Sequence, residues 1–439
     1  MTDTPFPRRT RSVVMNRWSD DFAAYHRYID HDAHDVAYLC TPEGAKALEA
    51  TRISHIEILP DFNDIHRLRV AFDACRTRLN GVDRLIALSE FDLLAAAQLR
   101  ETFDVPGDRP ATAARFRDKT VMKRVVSAAG LRVPQFVELN DREDALTTVA
   151  GLRHPLIVKP RTGAASIGVH RVDSVEQFGA LLPRLTGTSY ECEEFIEGPI
   201  YHVDGIVSSG KPLLIRASRY LNSCLDFANG KPLGSIMLQP GPSNDELLAF
   251  AQTSLRALSL LDGAFHLEVI RGSDGLYFLE IGARVGGGEI PFLFRDLYGI
   301  DIFSLWVRQQ LNYGTSLASE AGVGAAARST ELGGFLLLPE ATGSRLLRAV
   351  VPDGIAPLYA AITPKANHVF DGKGGYDEIL GRFRYRGRSE DEIDAAIAAT
   401  LERFQYELGD IDAPSRPAWP RGHWHDGYPL PENAPSRWR

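Results

Sequence analysis

From residue 12 onward the chain alternates between two periodicities. Apolar runs at 12–15, 36–39, 56–59 and 85–88 are short and continuous, as buried parallel strands are. Between them, 62–80 and 91–103 carry apolar residues at helical spacing, and this alternation predicts a parallel sheet with helices against it. Further on the pattern changes. Residues 156–158 and 167–172 form one pair of strand-like runs, and 264–270 and 276–282 form another, each pair joined by a stretch of small residues. Such pairs predict β-hairpins. Residues 330–407 give the strand-like GGFLLL and RAVVP and then a helix over 389–408, with Ile393, Ala396, Ile397, Leu401 and Phe404 on one core-packing face. An Ala/Gly/Ser-rich stretch at 315–329 predicts a linker. After 410, Pro, Trp and Arg accumulate without a period, and His423-Trp424-His425-Asp426 reads as part of that tail rather than as a metal site.

Composition narrows the class. A chain of 439 residues exceeds the roughly 250–300 residues at which single cores stop growing, so several domains are expected. The net charge of −8 gives no basic field for nucleic acid. No run of about eighteen apolar residues exists, and the first residues lack a signal-peptide core, so a cytoplasmic, membrane-free protein is expected. Cys40, Cys75, Cys192 and Cys224 have neither metal-site nor redox spacing. No GxGxxG follows the first apolar run, which removes the usual sign of a dinucleotide site.

The chemistry concentrates in the second hairpin. If its loop is Ser273-Asp274-Gly275, with Gly275 left-handed, Glu268 and Glu280 face each other across the ladder. Like charges directly opposite destabilise a sheet. A divalent cation would compensate, since Mg²⁺ is commonly held by one or two carboxylates and substrate phosphates. The alternative is one solvated glutamate and one paired with an arginine. In the first hairpin, Lys159 ends a strand and the link Arg161–Ser166 is rich in backbone donors. Gly and Ala allow close approach to an anion, successive amides make an anion nest, and lysine suits phosphate. Only eight of the 49 basic residues (Lys+Arg) are lysine, which makes lysines at such positions more telling.

Taken together, these stretches resemble the ATP-grasp superfamily, which includes biotin carboxylase, D-alanine–D-alanine ligase and L-amino acid ligases of the bacilysin type. The resemblance covers roughly residues 12–312. It implies an α/β fold: a Rossmann-like domain (1–112), a two-lobed ATP-grasp domain (113–190 and 191–315), a linker (316–329) and a small C-terminal α+β domain with an irregular tail (330–439). Arg117-Asp118-Lys119 resembles the opening of the first helix, with Lys119 as one ATP lysine and Lys159 as the second. The loop through Gly163, Ser166 and Gly168 resembles the phosphate lid. Glu193, Glu194, Phe195 and Ile196, in YECEEFIEGP, would border the adenine, largely through backbone groups. Glu268 and Glu280 resemble the metal carboxylates, and Arg284 the arginine that meets the transferred phosphate or the substrate carboxylate.

Two positions depart from that family. Most members have Glu-x-Asn at the second metal position, whereas this chain has Glu280-Ile281-Gly282 and lacks a side-chain oxygen there. The acidic residue usual two positions after the hinge glycine is Ile200, so His202 or Asp204 would take the ribose; His202 packed in a strand is the other reading.

The resemblance implies ATP and Mg²⁺, with Mn²⁺ as a substitute, and an ATP-dependent ligase joining a carboxylic acid to an amine or amino acid through an acyl phosphate. Gly287 and Gly288 would approach the substrate closely. Glu289 would read an ammonium or stand solvated in its loop, and Arg216 and Arg219 would face the second substrate. A homodimer is expected. Carboxylation through carboxyphosphate, as in biotin carboxylase, and a non-catalytic ATP-binding regulator are the alternatives.

Overall fold

The computed structural model describes residues 9–19, 22, 24–48, 53–139, 144–185, 189–311, 322–372, 378–411 and 421–423. Strands β1 (Thr10–Asn16), β2 (His34–Cys40), β3 (His55–Ile58) and β4 (Arg84–Ala87) form a parallel sheet in the order β3-β2-β1-β4. The last five residues of β1 and of β2 are buried on both faces, which is why these runs carry no polar alternation. Helix Ile65–Arg78 starts where the Asp64 carboxylate accepts the backbone N–H groups of His66 and Arg67. It packs Leu68, Ala71, Phe72 and Cys75 on this sheet.

Strands β5 (Phe136–Leu139), β6 (Leu156–Pro160), β7 (His170–Val172) and β8 (Tyr190–Glu194) make a small antiparallel sheet in the order β5-β8-β6-β7. The strand expected at 167–172 begins only at His170. Ala165, Ser166 and Gly168 have φ of 54°, 56° and 72°, a left-handed turn that cannot continue a ladder.

The central sheet has eight strands. Strands β9 (Ile200–Ser208), β10 (Lys211–Tyr220), β11 (Leu233–Met237), β12 (Gly263–Gly272) and β13 (Gly275–Gly282) are followed by β14 (Leu332–Leu338), β15 (Ser344–Val350), β16 (Leu358–Ile362), β17 (Val369–Phe370), β18 (Gly381–Gly387), β19 (Gln405–Asp410) and β20 (Arg421–His423). The order is β13-β12-β9-β10-β11-β14-β18-β16, while β17-β15-β19-β20 form a separate sheet. The stretch expected as a separate C-terminal domain therefore adds three strands to the central sheet. One face of that sheet is apolar: Tyr201, Val203, Leu267 and Val269 pack against Met122 and Val126 of helix Lys119–Ala128 and Leu247 and Leu255 of helix Pro242–Leu258. By the pleat, His202, Asp204, His266 and Glu268 project from the opposite face.

Three boundaries differ from the sequence reading. Residues 323–328, expected as linker, form a helix that buries Val323 and Ala326; residues 312–321 lie outside those described. The helix expected over 389–408 stops at Arg403, because Phe404 is extended and residues 405–410 pair with β15 instead. Of the tail, residues 411 and 421–423 are described, the latter as β20 beside β19, and His425 and Asp426 lie outside. Among the described residues no helix is long and apolar enough to cross a membrane.

Candidate active site

Glu268 and Glu280 do face each other, but not through the expected loop. The turn has two residues, Ser273-Asp274, and Gly272 pairs with Gly275, whose φ of 137° suits glycine. Such a turn would set Glu268 opposite Leu279. An irregularity just after Glu268 shifts the register by one residue and restores the glutamate pair. Bulges commonly re-aim side chains in this way.

Lys119 opens helix Lys119–Ala128, whose N-terminus is capped by the Asp118 carboxylate. Its Nζ lies 2.9 Å from Glu280 Oε2 and donates to the Gly163 carbonyl at 2.7 Å. Lys123 falls one turn later on the same face. It is fully buried and pairs with Glu191, at 2.7 Å, and with Glu193. Lys159 meets Glu193 at 2.5 Å and Glu191 at 3.7 Å. Glu193 thus uses its side chain between two lysines, beyond the backbone role expected for it. Burial opposes charge on Glu193 and Lys159, but the opposite charges win, holding Glu193 below and Lys159 above their ordinary values. Burial likewise opposes the charged form of Glu280, and Lys119 and Lys159 overcome it, bringing that carboxyl down to about 2.

Lys119, Lys159, Glu193 and Glu280 line one cleft of about 140 Å³ between the small sheet and the central sheet. Lys119, Lys159, Gly163, Ser166, Glu193, Glu194, Phe195, Ile196, Glu268 and Glu280 all reach it, as does Cys224. The loop over it is tied down from below. The Lys119 amide donates to the Arg161 carbonyl, Arg161 pairs with Asp118 and Glu138, and Arg117 donates to the Thr162 carbonyl at 2.5 Å. Gly163 and Gly168 both crowd Pro160, and Ile167 at the tip is 70% exposed. Phe195 is stacked by Arg171 and donates its amide to the Pro155 carbonyl.

Other expected residues are placed differently. His202 is buried in the central sheet, not among the cleft-lining residues. Its Nδ1 meets Asp204 at 2.5 Å and its Nε2 meets Ser235 at 2.7 Å, so both ring nitrogens are engaged away from any ribose. Asp204 also accepts from His266 Nδ1 at 2.8 Å. Glu289 is neither solvated nor open to an ammonium: it is fully buried, paired with Arg382 at 3.0 Å and with Arg384. Arg216 stacks on Tyr298 and donates to the carbonyls of Ala326 and Ser329, so it anchors the helix at 323–328. Arg219 pairs with Tyr201 in the ladder, on the apolar side of the sheet, facing away from the cleft.

Arg284 stands beside the cleft, held by Glu90 at 3.0 Å and by the Val285 carbonyl. Burial works against its charge, and Glu90 raises its pKa nonetheless. Glu90, in the turn after β4, also takes Arg117 at 3.0 Å. A Cβ at Gly282 would come 3.1 Å from Arg284 Cγ, so the glycine that removes a metal oxygen also makes room for this arginine. Gly286 lies on Asp204, Gly287 is open and Gly288 is left-handed, at φ 59°.

Two sheets of a mixed α/β architecture thus close on two lysines and a facing pair of glutamates. Residues 102–288 match the ATP-grasp domain. Among solved structures it resembles the L-amino acid ligase from Bacillus licheniformis, with a TM-score of 0.73 over 91% of this chain and 99% of that one at 18% identity. Among curated proteins it is similar to the L-arginine-specific L-amino acid ligase of Bacillus subtilis, 26% identical over 57% of this chain, and to dapdiamide A synthase of Enterobacter agglomerans, 27% identical over 42%. The matched stretches span 62% and 46% of those two relatives.

Proposed function

We propose that the protein is an ATP-dependent carboxylate–amine ligase that forms an amide through an acyl phosphate and releases ADP and phosphate. The carrying observation is the gathering of Lys119, Lys159, Glu268 and Glu280 around one cleft. A carboxylate is a poor acyl donor because its oxide leaves badly, and phosphorylation by ATP supplies a good leaving group. Lys119 and Lys159 bind and orient the phosphates, and the amides of the 161–168 loop cradle them. Glu268 and Glu280, two carboxylates with room for phosphate oxygens, fit Mg²⁺ or Mn²⁺, which when bound neutralises charge on the phosphates. Arg284, its plane set at Nε and Nη1, holds the acid and then stabilises the oxyanion. The exposed lip at Ile167 closes to keep water from the acyl phosphate. The same proposal places the enzyme in the cytoplasm as a homodimer, with amino acids among its substrates.

The test is ADP release from purified protein with Mg-ATP against a matrix of small acids, with and without amines. Release that needs both an acid and an amine, and is lost in Glu280→Gln, supports the ligase. Release driven by bicarbonate alone would move the reading to carboxylation. ATP binding without release across the matrix would favour a non-catalytic nucleotide binder.

A further inference from the structure

We infer that His266 is a positioning residue for Glu268, locked by Asp204 and His202, and that this locked chain offsets the oxygen missing at Gly282. The inference rests on the reading of Glu268 and Glu280 as ligands of a divalent cation.

The ladder between β9 and β12 sets Asp204 opposite His266 and His202 opposite Glu268. All four side chains therefore share one face. Asp204 divides its two oxygens between the rings: Oδ2 takes His202 Nδ1 at 2.5 Å and Oδ1 takes His266 Nδ1 at 2.8 Å. His202 Nε2 continues to Ser235 at 2.7 Å, and the other end of His266, Nε2, lies 3.4 Å from Glu268 Oε1. Ser235, His202, Asp204 and His266 are each at most 7% exposed. The result is a continuous polar chain from β11 across β9 to β12, ending on the cation face.

The chain has the residue types of a metal centre, since His202, Asp204 and His266 bring their ligand atoms within 4.8 Å of one another. Its spacings argue otherwise. Two ligands at about 2.0–2.1 Å from one ion in tetrahedral geometry stand roughly 3.3 Å apart, whereas these contacts are 2.5 and 2.8 Å. They are hydrogen bonds. His202 is held at both nitrogens, and His266 is held at Nδ1 with its Nε2 within ion-pair reach of Glu268, so neither ring turns without breaking a buried bond.

What the chain can do is hold Glu268 in place. A carboxylate oriented by a fixed donor loses less freedom when a cation arrives, and partners behind metal ligands are typically worth about 10–100-fold in metal affinity. Gly282 lies directly across the ladder from His266. The position without a side-chain oxygen and the position with the anchored imidazole are therefore neighbours. Asp204 also supports the substrate side: a Cβ at Gly286 would fall 2.2 Å from its Oδ1, so the glycine loop rests on the same carboxylate.

The experiment measures Mn²⁺ binding by the full-length protein with a non-hydrolysable ATP analogue, reading free Mn²⁺ by paramagnetic resonance, alongside thermal unfolding. His266→Leu removes the Asp204 hydrogen bond and the Glu268 contact, and His266→Gln keeps one amide donor toward Glu268. We expect Mn²⁺ binding about 10–100-fold weaker in His266→Leu, partly recovered in His266→Gln, with metal-free analogue affinity unchanged. A lower melting temperature with unaltered Mn²⁺ affinity in both variants would overturn the inference. If His266→Leu does not fold, Asp204→Asn decides: it keeps the shape but not the charge that orients His266, and wild-type Mn²⁺ affinity there overturns the inference equally. Failure of the wild-type protein to bind Mn²⁺ with the analogue would instead refute the cation reading of Glu268 and Glu280, and the inference with it.

Discussion

The two walls of the cleft solve the burial of charge in opposite ways. On the small-sheet side, Lys123 and Lys159 meet Glu191 and Glu193, two cations for two anions, nearly dry and balanced in charge. On the central-sheet side, Glu268, Glu280 and Asp204 face Lys119 and His266, which Asp204 and Glu268 hold up to about 9 although burial opposes the charged ring. Glu280 is still one-third exposed. The first wall is closed off from solvent, and the second keeps a partly exposed carboxylate on the cleft.

Breaking the balanced wall should cost the most. Lys123→Met leaves two buried carboxylates to one lysine, and removing one partner of a buried pair costs about 3–5 kcal/mol. Urea unfolding followed by circular dichroism should show that loss without any nucleotide. On the open wall the cost should fall on turnover instead. Lys119→Met or Glu280→Gln breaks a pair whose carboxylate is one-third exposed and should cost less stability than Lys123→Met, yet should lower acid- and amine-dependent ADP release by about 10²–10³-fold. Equal stability losses on the two walls would remove the distinction. Glu90→Gln should act more mildly, loosening Arg284 and Arg117 together. A rise of about tenfold in KM for the acid is expected, the size of one charge-assisted hydrogen bond, with a smaller change in kcat. The smallest effect tests access. Burial pushes the thiols of Cys40, Cys75 and Cys192 up to about 12, so iodoacetamide at pH 8 should spare them in the folded protein. Cys224, half-buried on the cleft wall, should react, and Mg-ATP should slow that reaction; peptide mapping distinguishes the four.

Much of this contrast was legible in the chain, and its gaps have physical reasons. The four parallel strands and the glutamate pair could be read because period and turn chemistry are local. The pairing of Glu268 with Glu280 was anticipated through the wrong loop, since a bulge after Glu268 leaves no mark in the pattern. Lys123 was missed because a lysine on a short helix reads as solvated, although Lys119 and Lys123 at i and i+4 were two of only eight lysines. Glu191 and Glu90 carry no signal of their own, because their partners lie on other strands and domains. Glu289 was misread for the same reason: Arg382 and Arg384 stand 93 and 95 residues downstream. Arg216 and Arg219 fall on opposite faces of β10, and only the ladder register shows which face meets the cleft.

The continuation of the central sheet through β14, β18 and β16 bears on how such a protein can be recombined. A fragment cut near residue 330 would leave β11 as a bare edge, open to pairing with another chain. It would also strip the buried Glu289 of both its arginines, at the root of the glycine loop. A chimera that exchanges the last hundred residues therefore also exchanges the arginines that neutralise Glu289, and should keep its stability only where both parents supply that pairing.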